Sequence, residues 1–411
     1  MMERSQDSPE CKNPISEEHT VAKTDPLGDI LRKAEKKYDM KIGSLADVAN
    51  DINSISTGNM ALDIAIGGGV PMGRSLELFG PPSCGKSTMA LQTAANLQKT
   101  IIAGGDESRG IMADDRIMYL DYEQAMDKSY AKALGLDTEH ESFIFVQPDS
   151  LEDGANLVIE LVQTGRIRLF LFDSVAFMTP SAKADAEIGK SLPAVQAKLM
   201  KDFLMNFTPM LYKNNATAIF LNHQMEKMEM GGRPGMPPSV TTPGGIALKY
   251  AASVRLQFTK IRDYKTEHVD PVTGEVVSIP DSSDVRVKVV KNKVSPPFRQ
   301  AIVRVRFGKG FDEFVTSLLA LVAAKKIVYT AGYFYFHRLE EAGLAPDWME
   351  RKKTGNLAPY IRKEERVYQM ADEHEDWRAD VIAYARKVVE ENVKNGGKPP
   401  AEPEPEGEDD E

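Results

Sequence analysis

The run Gly80-Pro81-Pro82-Ser83-Cys84-Gly85-Lys86-Ser87-Thr88 constrains this chain more than any other stretch. It follows the apolar residues 76–79 and opens a helix-like stretch at 89–98, so strand, loop and helix stand in immediate succession. The spacing G-x-x-x-x-G-K-[ST] has a mechanical meaning. Glycines let the backbone fold so that successive N–H groups and a helix N-terminus converge on phosphate oxygens, while Lys86 reaches the outer phosphates and Ser87 holds magnesium. At average composition the fixed positions would meet by chance only about 0.02 times in a chain this long. The expectation is a nucleotide triphosphatase; a glycine-rich turn that binds nothing would not need both the flanking strand and the flanking helix.

Other polar residues stand where strands are expected to end. Asp173 closes the apolar run 169–172, and open parallel sheets present ligands at such ends, where a carboxylate can hold magnesium through water. Alone, Asp173 reads better as a helix cap; paired with the phosphate loop it reads as a metal ligand. Glu123 lies just past the strand expected at 117–121 and could polarise an attacking water, although capping the next helix would also explain it. Asn222 and His223 end a further strand on the same edge, leaving His223 either a packed residue or a sensor. Cys84 reads as a small packed residue, and Cys11, in a polar leader, has neither a bridging partner nor metal-site spacing.

At 411 residues with 27% charged side chains, the chain is expected to be a multi-part protein with a large core. No apolar stretch approaches a membrane span and the first residues are polar, so the expectation is a cytoplasmic protein with no membrane partner. The net charge of −10 argues superficially against nucleic acid. Seven of the acids, however, lie between Glu402 and Glu411, and the cations gather at 286–293, 299–309 and 351–353, so local basic faces remain compatible with it.

The pattern along the chain suggests a polar, disordered leader (1–26) and a helical arm (27–44) carrying Leu27, Ile30, Leu31 and Ala34 at helical spacing. An α/β core (45–309), a smaller α/β unit (310–395) and an acidic tail (396–411) follow. In the core, strands are expected at 75–79, 117–121, 143–146, 169–173, 216–221, 254–259, 285–291 and 301–307, with helices at 89–99, 130–134, 151–164 and 195–212. Gly, Pro and Met dominate 227–245, a loop long enough to be functional or disordered.

Residues 55–69, 80–88, 120–135, 171–180, 187–189, 242–256 and 285–301 strongly resemble bacterial RecA recombinases, in the same order and at similar spacing. The resemblance spans roughly 27–335. It implies a RecA-like core with a central, mostly parallel twisted sheet, an N-terminal helical polymerisation arm and a small C-terminal domain. It also implies an ATP- and Mg2+-dependent recombinase that forms a helical filament on single-stranded DNA, pairs it with a homologous duplex and exchanges strands, leaving open single-strand-binding and loader proteins as partners.

By position, the resemblance assigns the phosphates to Gly80, Pro81, Pro82, Ser83, Cys84, Gly85, Lys86, Ser87 and Thr88, magnesium to Ser87 and Asp173, water activation to Glu123, and adenine stacking to Tyr130. Lys291 and Lys293 match the pair that reaches the neighbouring subunit's γ-phosphate, the logic of an arginine finger. DNA would lie against a first loop at about 185–194, with Lys190 in it and Lys198 and Lys201 on the following helix. The second loop, at about 224–243, contains Arg233 and ends at Gly244 and Gly245. Arg286 and Lys288 match cations for the second, duplex strand, with Thr259 in place of an expected arginine. Cations and backbone amides without a base code suit a protein that accepts any sequence.

Three departures stand out: His223 where bacterial RecA carries the glutamine that senses γ-phosphate, Pro193 in the first DNA loop, and an insertion at 100–116. With the divergent C-terminal third they point to a phage-encoded member with features of the UvsX type. A hexameric helicase on the same core, or an ATP-binding recombination mediator without strand exchange, are the competing readings.

Overall fold

Strand-forming runs that are apolar at every position demand cover on both faces, and the chain supplies it. The computed structural model describes residues 26–38, 52–184, 193–226, 240–269, 274–330, 333–346, 348–351, 359–362 and 364–394. The leader, the acidic tail, both DNA-loop centres, Lys190, Arg233 and residues 39–44 of the arm lie outside them.

The first unit contributes one described helix, Pro26–Tyr38, with Asp29 in its first turn and Lys36 and Lys37 in its last, matched to the helix dipole. Leu27, Ile30 and Leu31 are exposed at helical spacing.

The second unit is built on a nine-stranded sheet. In chain order its strands are β1 Ser75–Gly80, β2 Arg116–Asp121, β3 Phe143–Val146, β4 Ile167–Asp173, β5 Thr217–His223, β6 Val254–Val269, β7 Val276–Asn292, β8 Gln300–Arg306 and β9 Gly310–Phe311. Across the sheet they run β9-β8-β7-β6-β1-β5-β4-β2-β3. From β6 to β3 every neighbouring pair is parallel; β7, β8 and β9 are joined antiparallel. The α/β class read from the sequence is the one observed.

The two sheet faces sort alternate residues of one strand. Leu169 and Leu171 of β4 join Leu76, Leu78 and Ile219 under the helix Lys86–Ile102, which contributes Met89, Ala90 and Leu97. Phe170 and Phe172 point to the other face, against Val158 of the helix Leu151–Val162 and Phe203 and Phe207 of the helix Pro193–Lys213. Each of these fully buried phenylalanines contributes roughly 1.5–3 kcal/mol by leaving water. The same double burial brings the polar strand ends of β1, β5, β4 and β2 to one edge.

β6 and β7 extend well past the strands expected at 254–259 and 285–291. They continue as a two-stranded ribbon to Val269 and Val276, with register shifts at Lys260/Arg262 and Tyr264/Lys265. Beyond the ribbon's base, a third apolar cluster joins Phe314 and Leu318 of the helix Glu313–Ala323 with Phe334, Phe336 and Ile361. Trp377 and Val381 of the helix Glu375–Lys394 complete it. A four-stranded antiparallel sheet of Val328–Thr330, Tyr333–Tyr335, Pro359–Arg362 and Glu350–Arg351 completes this part. No helix among the described residues is long and apolar enough to cross a membrane.

Candidate active site

The phosphate loop links β1, in the middle of the sheet, to the helix Lys86–Ile102. Its turn needs left-handed backbone at Ser83 (φ 56°) and Gly85 (φ 85°). A Cβ on Gly85 would add strain and fall 3.0 Å from Val305 Cγ2, so glycine is required there by both conformation and space. The Lys86 ammonium is held by the loop itself, donating to Pro81 O at 2.6 Å and Gly80 O at 3.1 Å. The Cys84 thiol is buried and also donates to Pro81 O, at 2.9 Å, and burial pushes its pKa up, as suits a packed residue rather than a nucleophile.

Sheet register assembles the remaining groups. Gly80 pairs with His223 across β1 and β5, and Asp121 with Asp173 across β2 and β4. Ser87 Oγ lies 3.5 Å from Asp173 Oδ2, which also accepts the Tyr119 hydroxyl at 2.6 Å. Burial holds the Asp173 carboxyl above its usual range, the Tyr119 bond opposes this, and the charges of Glu123 and Asp121 add to it. Burial, reinforced by Asp173, drives the Tyr119 phenol far upward, so it remains a neutral donor. A divalent cation would relieve the repulsion among these carboxylates.

The donor set fits magnesium. Mg2+ keeps several waters and takes one or two protein oxygens plus substrate phosphates, and Ser87 and Asp173 supply such a pair. No cluster of three or more His, Cys, Asp or Glu able to cage a metal exists among the described residues.

Glu123 lies two residues past the end of β2. Its Oε2 lies 3.4 Å from the buried Ser174 Oγ and 3.6 Å from His223 Nε2, and the Glu123 and His223 side chains are each about one third exposed. Asp121, by contrast, is buried and spends its carboxylate on the backbone N–H groups of Ala125 and Met126. Tyr130 follows the cap residue Asp127, and its hydroxyl shares a 2.7 Å hydrogen bond with Thr88 Oγ1, anchoring the ring beside the phosphate loop.

Lys291 and Lys293 are not in this group. Arg255 pairs with both Glu77 and Lys291, and Asn292 with Val254 at the start of β6, so β7 delivers them towards the opposite edge of the sheet. There Lys291 Nζ donates to Lys249 O at 2.7 Å and Tyr250 O at 2.9 Å, and Lys293 Nζ to Tyr250 O at 3.3 Å. Partial burial, then the charges of Lys293 and Arg255, pull the Lys291 pKa down to about 8.

Lys198 and Lys201 are exposed three residues apart on the helix Pro193–Lys213, hence neighbours on its surface. Arg286 and Lys288 are exposed on β7, opposite Thr259 and Gln257. Gly244 (φ 84°) and Gly245 (φ 73°) open the helix Gly245–Ala251, and a Cβ on Gly244 would fall 2.8 Å from Val175 Cγ1. Sequence reasoning missed Tyr119 and Ser174. Strand alternation could have flagged Tyr119, two residues before Asp121 and on the same face; nothing local marks Ser174.

The family model of the RecA N-terminal domain matches residues 24–312. Protein RecA of Clostridioides difficile (strain 630) is 36% identical over 382 residues, covering 92% of this chain and 99% of that protein. Protein RecA of Lactobacillus acidophilus is 35% identical over 353 residues, covering 84% and 86%. With the phosphate loop and the strand-end carboxylates in place, these matches show that the chain belongs to the RecA family and is a DNA-dependent ATPase.

Proposed function

We propose that the chain is a homologous recombinase that assembles head to tail on single-stranded DNA, pairs it with a homologous duplex and hydrolyses ATP between protomers. The observation that carries this reading is the separation of Lys86, Ser87, Glu123 and Asp173 at one sheet edge from Lys291 and Lys293 near the other. A protomer's own lysines cannot close on its own phosphate loop; a head-to-tail neighbour's can, and such heterologous contacts propagate into filaments.

In this mechanism Lys86 exchanges the carbonyls of Pro81 and Gly80 for phosphate oxygens. Ser87 and Asp173 would hold magnesium, which would supply positive charge to neutralise the phosphates. Glu123 orients the attacking water, with Ser174 and His223 fixing its carboxylate. Tyr130, anchored by Thr88, offers a face to the adenine. Lys291 and Lys293 of the neighbour stabilise the charge that develops on the transferred phosphoryl, so hydrolysis requires assembly. His223 sits on β5, whose continuation leads into the second DNA loop, and so serves as the γ-phosphate sensor. Lys198, Lys201, Gly244, Gly245, Lys190 and Arg233 line the first strand's path, and Arg286 and Lys288 receive the duplex. The domain limits are those read from the sequence, the location is cytoplasmic, and the Asn222-His223 pair favours a phage source.

Electron microscopy with an ATP analogue and single-stranded DNA, together with a joint-molecule assay on homologous duplex, tests the reading. Open filaments and homology-dependent joints are expected. Closed rings would favour a helicase, and filaments without joints a mediator; either outcome overturns it.

A further inference from the structure

We propose that Glu77 is a positioning residue that couples the end of the second DNA loop to both walls of the nucleotide site. The inference rests on the recombinase reading above. Glu77 lies inside β1, three residues before the phosphate loop, and is wholly buried although charged. A carboxylate so placed must be fully partnered, and its partners are informative.

One oxygen, Oε1, accepts Asn222 Nδ2 at 2.9 Å; the other takes a short ion pair with Arg255 Nε. Asn222 is equally buried, and its amide group is fully engaged. Its Nδ2 also donates to Pro243 O at 3.0 Å, where the second loop returns to the fold, and its Oδ1 accepts the backbone N–H of His223 at 2.9 Å. Arg255 is in register with Lys291, whose ammonium feels the charges of both Arg255 and Glu77. The guanidinium also lies over the Phe79 ring, 4.7 Å from its centre, next to the phosphate loop.

Glu77 therefore lies outside the proposed substrate contacts, yet it is one hydrogen bond from Asn222, which bonds both the loop end and the His223 backbone, and one ion pair from Arg255, which stands in register with the trans lysine Lys291. Movement of Pro243 when DNA binds the loop cannot be absorbed at Asn222 without breaking its part-buried hydrogen bond, so the displacement passes to Glu77 and Arg255. The carboxylate makes the binding of DNA and of ATP mutually reinforcing, and linkage makes that reinforcement reciprocal.

The test is fluorescence anisotropy of a labelled oligothymidine with the full chain, with and without a non-hydrolysable ATP analogue, the readout being the ratio of the two affinities. The wild-type protein tightens on DNA with the analogue. Glu77→Gln, which keeps the acceptor for Asn222 but opposes an amide to Arg255, loses on the order of tenfold of that gain, and Asn222→Ala, which severs the other link, does the same. A merely structural role would lower thermal stability and both affinities together and leave the ratio intact. An intact ratio in Glu77→Gln overturns the proposal while the recombinase reading stands; if that variant does not fold, Asn222→Ala decides by the same criterion. A wild-type protein with no gain at all overturns both.

Discussion

A carboxylate whose pKa is raised by burial and by neighbouring acids is held in readiness for a cation, and Asp173 is in that state beside Ser87. The roles proposed for Lys86 and Glu123 concern different parts of the substrate, the phosphates and the attacking water. Lys86→Ala and Glu123→Gln should each lower DNA-stimulated hydrolysis by about 100-fold or more in a phosphate-release assay. Normal turnover in either would remove the assigned role. Lys291 makes a sharper prediction. With a pKa near 8, its ammonium is largely present at pH 7 and largely lost at pH 9, so hydrolysis should decline on the alkaline side of 8. Lys291→Arg stays charged over that interval and should flatten the decline; an unchanged profile would show that Lys291 does not supply the cation. At this scale the phosphate loop was readable because all its atoms come from one short segment. The contact of Glu123 with His223 was not, since those residues meet only through the sheet order β5-β4-β2.

At the scale of elements, burial explains what the sequence announces and what it hides. β4 declares itself because both faces are covered and every residue from Ile167 to Phe172 is buried. The outer ribbon of β6 and β7 does not. Residues 260–269 and 276–280 are mostly exposed, so no core imposes a period-2 pattern, and the pairing depends on the partner strand. Capping shows the same dependence on distant partners. Asn59 Oδ1 accepts the Leu62 N–H at the start of the helix Met60–Ile66, a locally readable cap, but its Nδ2 donates at 2.8 Å to Thr316, far along the chain and buried. Asn59→Ala would lose the cap and strip Thr316 of its donor, costing about 1–3 kcal/mol. Thermal unfolding should show a lowered Tm with the ATP KM nearly unchanged; an unshifted Tm would mean that the two bonds contribute nothing net.

For the whole molecule, the decisive property is that the two lysines proposed to complete the site stand away from the protomer's own phosphate loop. Lys291 and Lys293 bond to the carbonyls that end the helix Gly245–Ala251, near the edge of the sheet where β6 begins, while Glu123 stands where β2 ends. If each working site is made by two protomers, two different inactive variants can repair one another. Glu123→Gln spoils a protomer's own phosphate wall but leaves its lysines intact; the double variant Lys291→Ala, Lys293→Ala does the reverse. In a filament mixed at equal concentration, random order places an intact Glu123 opposite intact lysines at about one interface in four, which follows from head-to-tail association. The mixture should therefore recover roughly a quarter of wild-type hydrolysis on single-stranded DNA while each variant alone stays inactive. Recovery should also require polymer long enough to hold both kinds of subunit, so very short oligonucleotides should abolish it. If both variants co-assemble on long DNA and no activity returns, the lysines act within their own protomer or not at all, and the intersubunit site must be abandoned.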